Sequence, residues 1–108
     1  MIITINNKSA IVTFYLLLIT SLAMTAELAA TQEKIKNYIV QTSHADANKI
    51  KNESLIFKEG FFDSMGFIML ITFLEEEFGI RTQDSDLIEE NFESINAITD
   101  FIQKKKAA

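Results

Sequence analysis

The sequence has no cysteine, no proline, no tryptophan and only three glycines. Without cysteine it can close no disulfide, hold no metal through thiolates and use no cysteine nucleophile, so any thiol chemistry must arrive on a cofactor. Without proline, and nearly without glycine, it has few helix breakers and little of the turn chemistry that hairpins require, which favours an all-α fold. Basic residues are also scarce. Ten Lys and Arg stand against fifteen Asp and Glu, and no basic stripe interleaves with aromatics. Nucleic acid is therefore not an expected partner, whereas a basic protein surface is. At 108 residues the chain has room for one small domain around one core, and a monomer is expected.

The first apolar run, SAIVTFYLLLITSLAM, follows the lone Lys8, and residues 9–26 carry no charge. A short basic region, an apolar stretch over residues 10–22, and the small residues Ser21 and Ala23 at a cleavage spacing resemble a secretory signal. That stretch is shorter than the roughly 20 apolar residues of a comfortable membrane span. Three readings stand side by side: an exported leader, a weak membrane anchor, and sequence upstream of a start at Met24. Residues 1–23 are accordingly set apart as an apolar N-terminal extension, and residues 24–108 as the folded domain.

Within that domain, Leu28, Ile35, Tyr38 and Ile39 recur at helical spacing and predict a first helix over residues 25–41. The periodicity then fades over residues 42–63, with Leu55, Ile56, Phe61 and Phe62 as isolated anchors; ordered loops of about 20 residues in a small domain are usually functional. His44, the sole histidine, reads as a solvated loop residue. A second helix is predicted over Ser64–Phe78, with Gly79 placed for a left-handed stop and Phe67, Leu70, Ile71, Leu74 and Phe78 forming its core stripe. Met65, Ile68, Met69 and Phe73 lie off the stripe. Part of this apolar surface is expected in solvent as a docking site, since methionine adapts to more than one partner. Residues 84–92 predict one short helix, capped by Ser85 or Asp86, with Leu87, Ile88 and Phe92 inward and Glu89 and Glu90 outward. Ser94 caps a last helix whose Ile95, Ile98, Phe101 and Ile102 face the core, and whose Lys104, Lys105 and Lys106 complement the helix dipole.

No catalytic constellation emerges. Nothing ties His44 to Ser64 as a base to a nucleophile. Glu75, Glu76 and Glu77 are consecutive and splay around a helix rather than converge on a metal. Asp84-Ser85-Asp86 lacks the glycine and distal glutamate of a calcium loop. Ser64 itself carries two readings. It is either an N-cap, worth about 1 kcal/mol, or a hydroxyl placed to carry an anionic ester at the positive end of a helix. An acid immediately before it and apolar residues on both sides favour the second.

The stretch EGFFDSMGFIMLITFLEEEFGI resembles the phosphopantetheine attachment region of acyl carrier proteins, in which Asp-Ser-Leu precedes an apolar helix that ends in a glutamate-rich turn with phenylalanine. Here the motif reads Asp63-Ser64-Met65 and the helix ends Leu74-Glu75-Glu76-Glu77-Phe78. The likeness extends over about residues 25–105. It implies a four-helix bundle with three longer helices, one short helix and a long first loop. It further implies a non-catalytic carrier that holds acyl groups as thioesters on a 4'-phosphopantetheine arm joined to Ser64. Asp63 then serves transferase or metal recognition, and Met65, Ile68, Met69, Glu75 and Glu76 serve partner docking. The implied partners are a phosphopantetheinyl transferase acting with magnesium, an acyl-loading ligase or acyltransferase, and downstream synthase or modifying enzymes, all cytoplasmic. That location disfavours export and leaves a start at Met24 or an unusual extension.

Two departures bear on the pathway. Where typical fatty-acid carriers place acids on the exposed face of this helix, the chain has Gly66 and Met69, so partners are expected to grip by apolar contact and a housekeeping role in fatty-acid synthesis is in doubt. An acyl cargo leads, with an aminoacyl or peptidyl cargo as the alternative. An unmodified helical interaction protein, with Ser64 only a cap, is the reading from a different class. Phe67, Leu70, Ile71 and Phe101 could line a cavity for the acyl chain.

Overall fold

The computed structural model describes residues 2 to 107, with side chains from residue 10 onward. Helix α1 spans Ile2–Ser43, α2 Ser64–Phe78, α3 Glu89–Phe92 and α4 Ile95–Ala107; two single 3-10 turns occur at Ala47–Lys49 and Asp84–Asp86. Among the described residues there is no strand. The all-α, four-helix expectation holds. The chain divides into two units, the first ending at Ala30 and the second beginning at Thr31.

In the first unit α1 runs through Met24 without a break. Its large apolar side chains from Ile11 to Leu22 are all exposed. Thr20 and Thr25 turn their hydroxyls back onto the helix, donating to the carbonyls of Leu16 at 2.8 Å and Ser21 at 3.0 Å.

The second unit contains one core. Ile35 and Ile39 come from α1, Ile50, Ile56 and Phe62 from the long connection, Leu70 and Leu74 from α2, and Ile95, Ile98, Phe101 and Ile102 from α4, with Ile80 and Phe92 between them. The stripes expected for α1, α2 and α4 supply most of it because residues three and four apart share a helical face. Phe92 is fully buried and meets Phe67 and Phe101 edge-to-face, at 5.4 and 4.9 Å between ring centroids. The α2 terminus follows expectation: Gly79 is left-handed at φ 65°, a conformation that costs glycine little. Ser94 likewise caps α4, its Oγ accepting the Ala97 amide at 3.1 Å.

The connection from residue 44 to 63 is held at several points. Ile56 donates its amide to the Glu93 carbonyl, and Asn96 donates its amide to the Asn52 carbonyl, both at 2.9 Å. Gln32 bridges the same region, accepting from Asn52 Nδ2 at 3.4 Å and donating to Asn96 Oδ1 at 3.2 Å. His44 is exposed, in keeping with a solvated loop residue, and has a positive φ of 58°.

The region before α4 departs from expectation. Residues 84–92 do not form one helix but a 3-10 turn followed by the four-residue α3. Asp86 is not a helix N-cap. Its carboxylate accepts the Gln83 amide at 2.8 Å and pairs with Lys105, while its carbonyl accepts Asn91 Nδ2 at 2.8 Å. These bonds close a local turn that competes with helix continuation. Neither Ser85 nor Asp86 caps α3; Ile88, in extended conformation, occupies that position. Leu87 and Ile88, expected inward, are consequently 42% and 48% exposed.

Candidate functional site

The chain reaches α2 through a tight turn. Glu59 Oε2 accepts the Leu55 amide at 2.7 Å, and the Ile56 carbonyl accepts the amides of both Phe61 and Phe62. The turn seats Phe62 in the core and leaves Asp63 extended, at φ −101° and ψ −166°, as the N-cap of α2. Asp63 Oδ1 accepts the Gly66 amide at 2.9 Å, and the Asp63 carbonyl accepts the Phe67 amide at the same distance.

Ser64 is therefore the first helical residue, not the cap. Serine and aspartate cap helices about equally well, and a register set one residue earlier gives the task to Asp63. Among the described residues the exposed Ser64 hydroxyl has no hydrogen-bond partner. The amides of Ser64 and Met65 are in the first turn, where no carbonyl four residues back can receive them and the helix dipole is positive. An anionic ester on Ser64 Oγ suits this end of the helix.

Gly66 serves packing. A Cβ there would lie 2.9–3.1 Å from three side-chain atoms of Phe62, too close for the buried ring to remain in place. The absence of an acidic side chain at this position thus has a steric cause in addition to any role in recognition.

Open grooves flank Ser64 and Asp63. One, of about 550 Å³, is lined by Phe57, Phe62, Asp63, Ser64, Phe67, Ile68, Leu87 and Glu89. The other, of about 680 Å³, lies across Phe62 and reaches Tyr38, His44, Met65 and Met69. Of the four residues expected to line a cavity for the acyl chain, Phe67 lines an open groove, Ile71 is half-buried against the core, and Leu70 and Phe101 are buried within it. Sequence reasoning missed the contribution of Phe57, Leu87 and Glu89 to the groove wall. The signal available for Leu87 was an apolar pair, Leu87-Ile88, set between acids.

The candidate docking residues separate into two kinds. Met65, Ile68 and Met69 are 64%, 60% and 53% exposed and form an apolar face at the start of α2. Phe73, also off the core stripe, is half covered by Tyr38, stacked on it at 4.1 Å. Glu76 is exposed, but Glu75 accepts both the amide and the hydroxyl of Thr82, at 3.0 and 3.2 Å, and ties the end of α2 to the segment that follows. Among the described residues no group of three or more His, Asp or Glu side chains could hold a metal ion.

Residues 33–102 match the family model described as the phosphopantetheine attachment site. An acyl carrier protein of Buchnera aphidicola subsp. Baizongia pistaciae is 38% identical over 73 residues, covering 68% of this chain and 91% of the relative. Acyl carrier proteins of Thermosynechococcus vestitus and Bdellovibrio bacteriovorus are 32% and 28% identical, covering 70% and 73% of this chain and 91% and 99% of their own lengths.

Proposed function

The chain belongs to the phosphopantetheine-attachment family, as a non-catalytic carrier with a covalent 4'-phosphopantetheine cofactor, and from that premise we propose that it is a stand-alone acyl carrier modified at Ser64. The observation that carries the assignment is the division of labour at the head of α2: Asp63 caps the helix, and the adjacent Ser64 hydroxyl is exposed and unengaged. These residues fit the group, because an ester oxygen at Ser64 displaces no hydrogen bond and a phosphate there meets the positive end of α2. When attached, the group supplies a terminal thiol on a long flexible arm, chemistry that a cysteine-free chain cannot provide.

During modification the Ser64 hydroxyl gives up its proton and forms a bond to phosphorus as the phosphoanhydride of coenzyme A breaks, with adenosine 3',5'-bisphosphate leaving. Asp63, bound through Oδ1 to Gly66, keeps Oδ2 available to the transferase or its magnesium ion. Met65, Ile68 and Met69 offer partners an apolar contact, with Glu76 as a charged flank. Tethering raises the effective concentration of cargo at each partner enzyme. The site lies in the cytoplasm, where coenzyme A is supplied.

An acyl cargo is favoured over an aminoacyl or peptidyl one by the names of the three relatives, and the pathway proposed for it is fatty-acid, polyketide or related specialised biosynthesis. Intact-protein mass after incubation with coenzyme A, magnesium and a broad-specificity phosphopantetheinyl transferase tests the assignment. One added phosphopantetheine on the wild type and none on Ser64→Ala is the expected result; equal modification of both chains would move the site elsewhere.

A further inference from the structure

We propose that residues 10–26 of α1 are a transmembrane anchor, so that this carrier operates tethered to a lipid bilayer. The inference concerns the first unit alone and stands independently of the chemistry at Ser64.

Residues 9–26 form 18 consecutive uncharged positions between Lys8 and Glu27. At about 1.5 Å per residue they are about 27 Å long as a helix, close to the roughly 30 Å of a bilayer hydrocarbon core. From Ala10 onward α1 is long and apolar enough to cross a membrane, and its apolar window is not buried within the protein. The apolar surface has no sidedness: Phe14 to Ile19 are six apolar residues in succession, which encircle the helix. Ile11, Phe14, Tyr15, Leu17 and Leu22 are each 63–70% exposed.

An all-round apolar helix is buried in a large core or in lipid. A protein groove would select one face of the helix, whereas a bilayer solvates every face. The polar side chains also suit lipid. Thr20 and Thr25 satisfy their hydroxyls on carbonyls of their own helix, the arrangement open to them where water is absent. Finally, the matched family region begins at residue 33, and the relatives are covered almost to their full length by about 70% of this chain. The apolar segment is thus additional to the carrier unit.

The test uses the full chain with a C-terminal tag, expressed in a bacterial host and then reconstituted with vesicles of phosphatidylcholine and phosphatidylglycerol. The wild type is expected to float with the vesicles, to remain in cell membranes after alkaline carbonate extraction, and to show the mass of the uncleaved chain. The double substitution Leu17→Lys with Leu18→Asp places charges mid-span and is expected to lower the floating fraction at least tenfold. Its far-UV circular dichroism should still report a folded second unit; Ile19→Asp replaces it should it misfold. Recovery of the wild type in the soluble fraction, release by carbonate, a mass lacking the segment, or equal flotation of the charged variants would each overturn the anchor. Loading of Ser64, read by mass on the same chain in detergent, is unaffected by any of these results.

Discussion

Asp63 Oδ1 accepts the Gly66 amide at 2.9 Å, and this one bond relieves Ser64 of a structural task. Capping and ester formation both call for an oxygen at a helix N-terminus; Asp63 does the first, which leaves Ser64 for the second under the proposed function. Ser64→Ala is accordingly expected to abolish phosphopantetheine loading while shifting stability by no more than about 0.5 kcal/mol, the range of ordinary surface substitutions. Mass spectrometry reads the first effect and denaturant titration the second. A large loss of stability would mean that the hydroxyl does hold the helix.

Asp63 caps α2, and under the proposed function its charge also serves the transferase; two substitutions separate the two roles. Asp63→Ala removes the cap and should cost about 1 kcal/mol. Asp63→Asn retains a capping oxygen and should remain near wild-type stability, yet it removes the charge available to a magnesium-bearing transferase. Loading rates for Asp63→Asn at least tenfold below wild type, with an unchanged unfolding midpoint, are expected; unchanged rates would confine Asp63 to capping.

At Gly66 two effects oppose one another. Alanine in a helix gains up to about 1 kcal/mol over glycine, but its Cβ would press on the side chain of Phe62, which is held in the core. Overpacking of this kind costs about 1–3 kcal/mol. The net change is expected to be destabilising, and greater for Gly66→Asp, which brings a charge to the same contact. Urea midpoints of the two variants check the order.

Phe92 lies at the junction of α2, α3 and α4, fully buried between Phe67 and Phe101. Phe92→Ala should cost about 3–5 kcal/mol, enough to unfold much of a small carrier near its physiological temperature. Phe92→Leu should recover most of the loss. Thermal melts of the two variants provide the comparison.

The Asp86 carboxyl is held below its ordinary value of 3.8, first by its hydrogen bond with Lys105 and then by the Gln83 amide. A carboxylate whose folded pKa is depressed stabilises the fold above its unfolded pKa, and that contribution is lost as pH falls through the folded value. Asp86→Asn should therefore be less stable than wild type at neutral pH. The two proteins should converge as the pH is lowered below 3.8. A gap that persists in acid would assign the difference to packing rather than charge.

Much of this arrangement was legible in the sequence, for reasons that particular residues make clear. Phe67, Leu70 and Leu74 announce α2 because a continuous stripe has one helical solution, and Gly79 and Ser94 mark boundaries by conformational and hydrogen-bonding preferences peculiar to them. The cap of α2 was not legible, since Asp63 and Ser64 are both good caps and only the path from Ile56 to Phe62 fixes which one is used. Leu87 and Ile88 misled for a related reason. Their spacing suits an inward helical face, but the side-chain bonds of Asp86 to Gln83 and Lys105 interrupt the helix, and no local propensity encodes a partner nineteen positions away. The groove beside Ser64 was hidden for the same cause. Its walls come from Phe57, Phe67 and Leu87, which periodicity treats separately.

The bonds from Ile56 to Glu93 and from Asn96 to Asn52 have a consequence for how the protein is made. The connection that presents Ser64 is fastened by Glu93 and Asn96, residues that leave the ribosome well after the partners they hold, Ile56 and Asn52. A nascent chain that has exposed the Asp63-Ser64 pair cannot yet complete these bonds, and Phe57 and Phe62 have no Phe92 or Ile95 to join in a core. The site that a transferase would read is completed only once residues 92–102 are available to fold, so modification at Ser64 would follow the docking of α4.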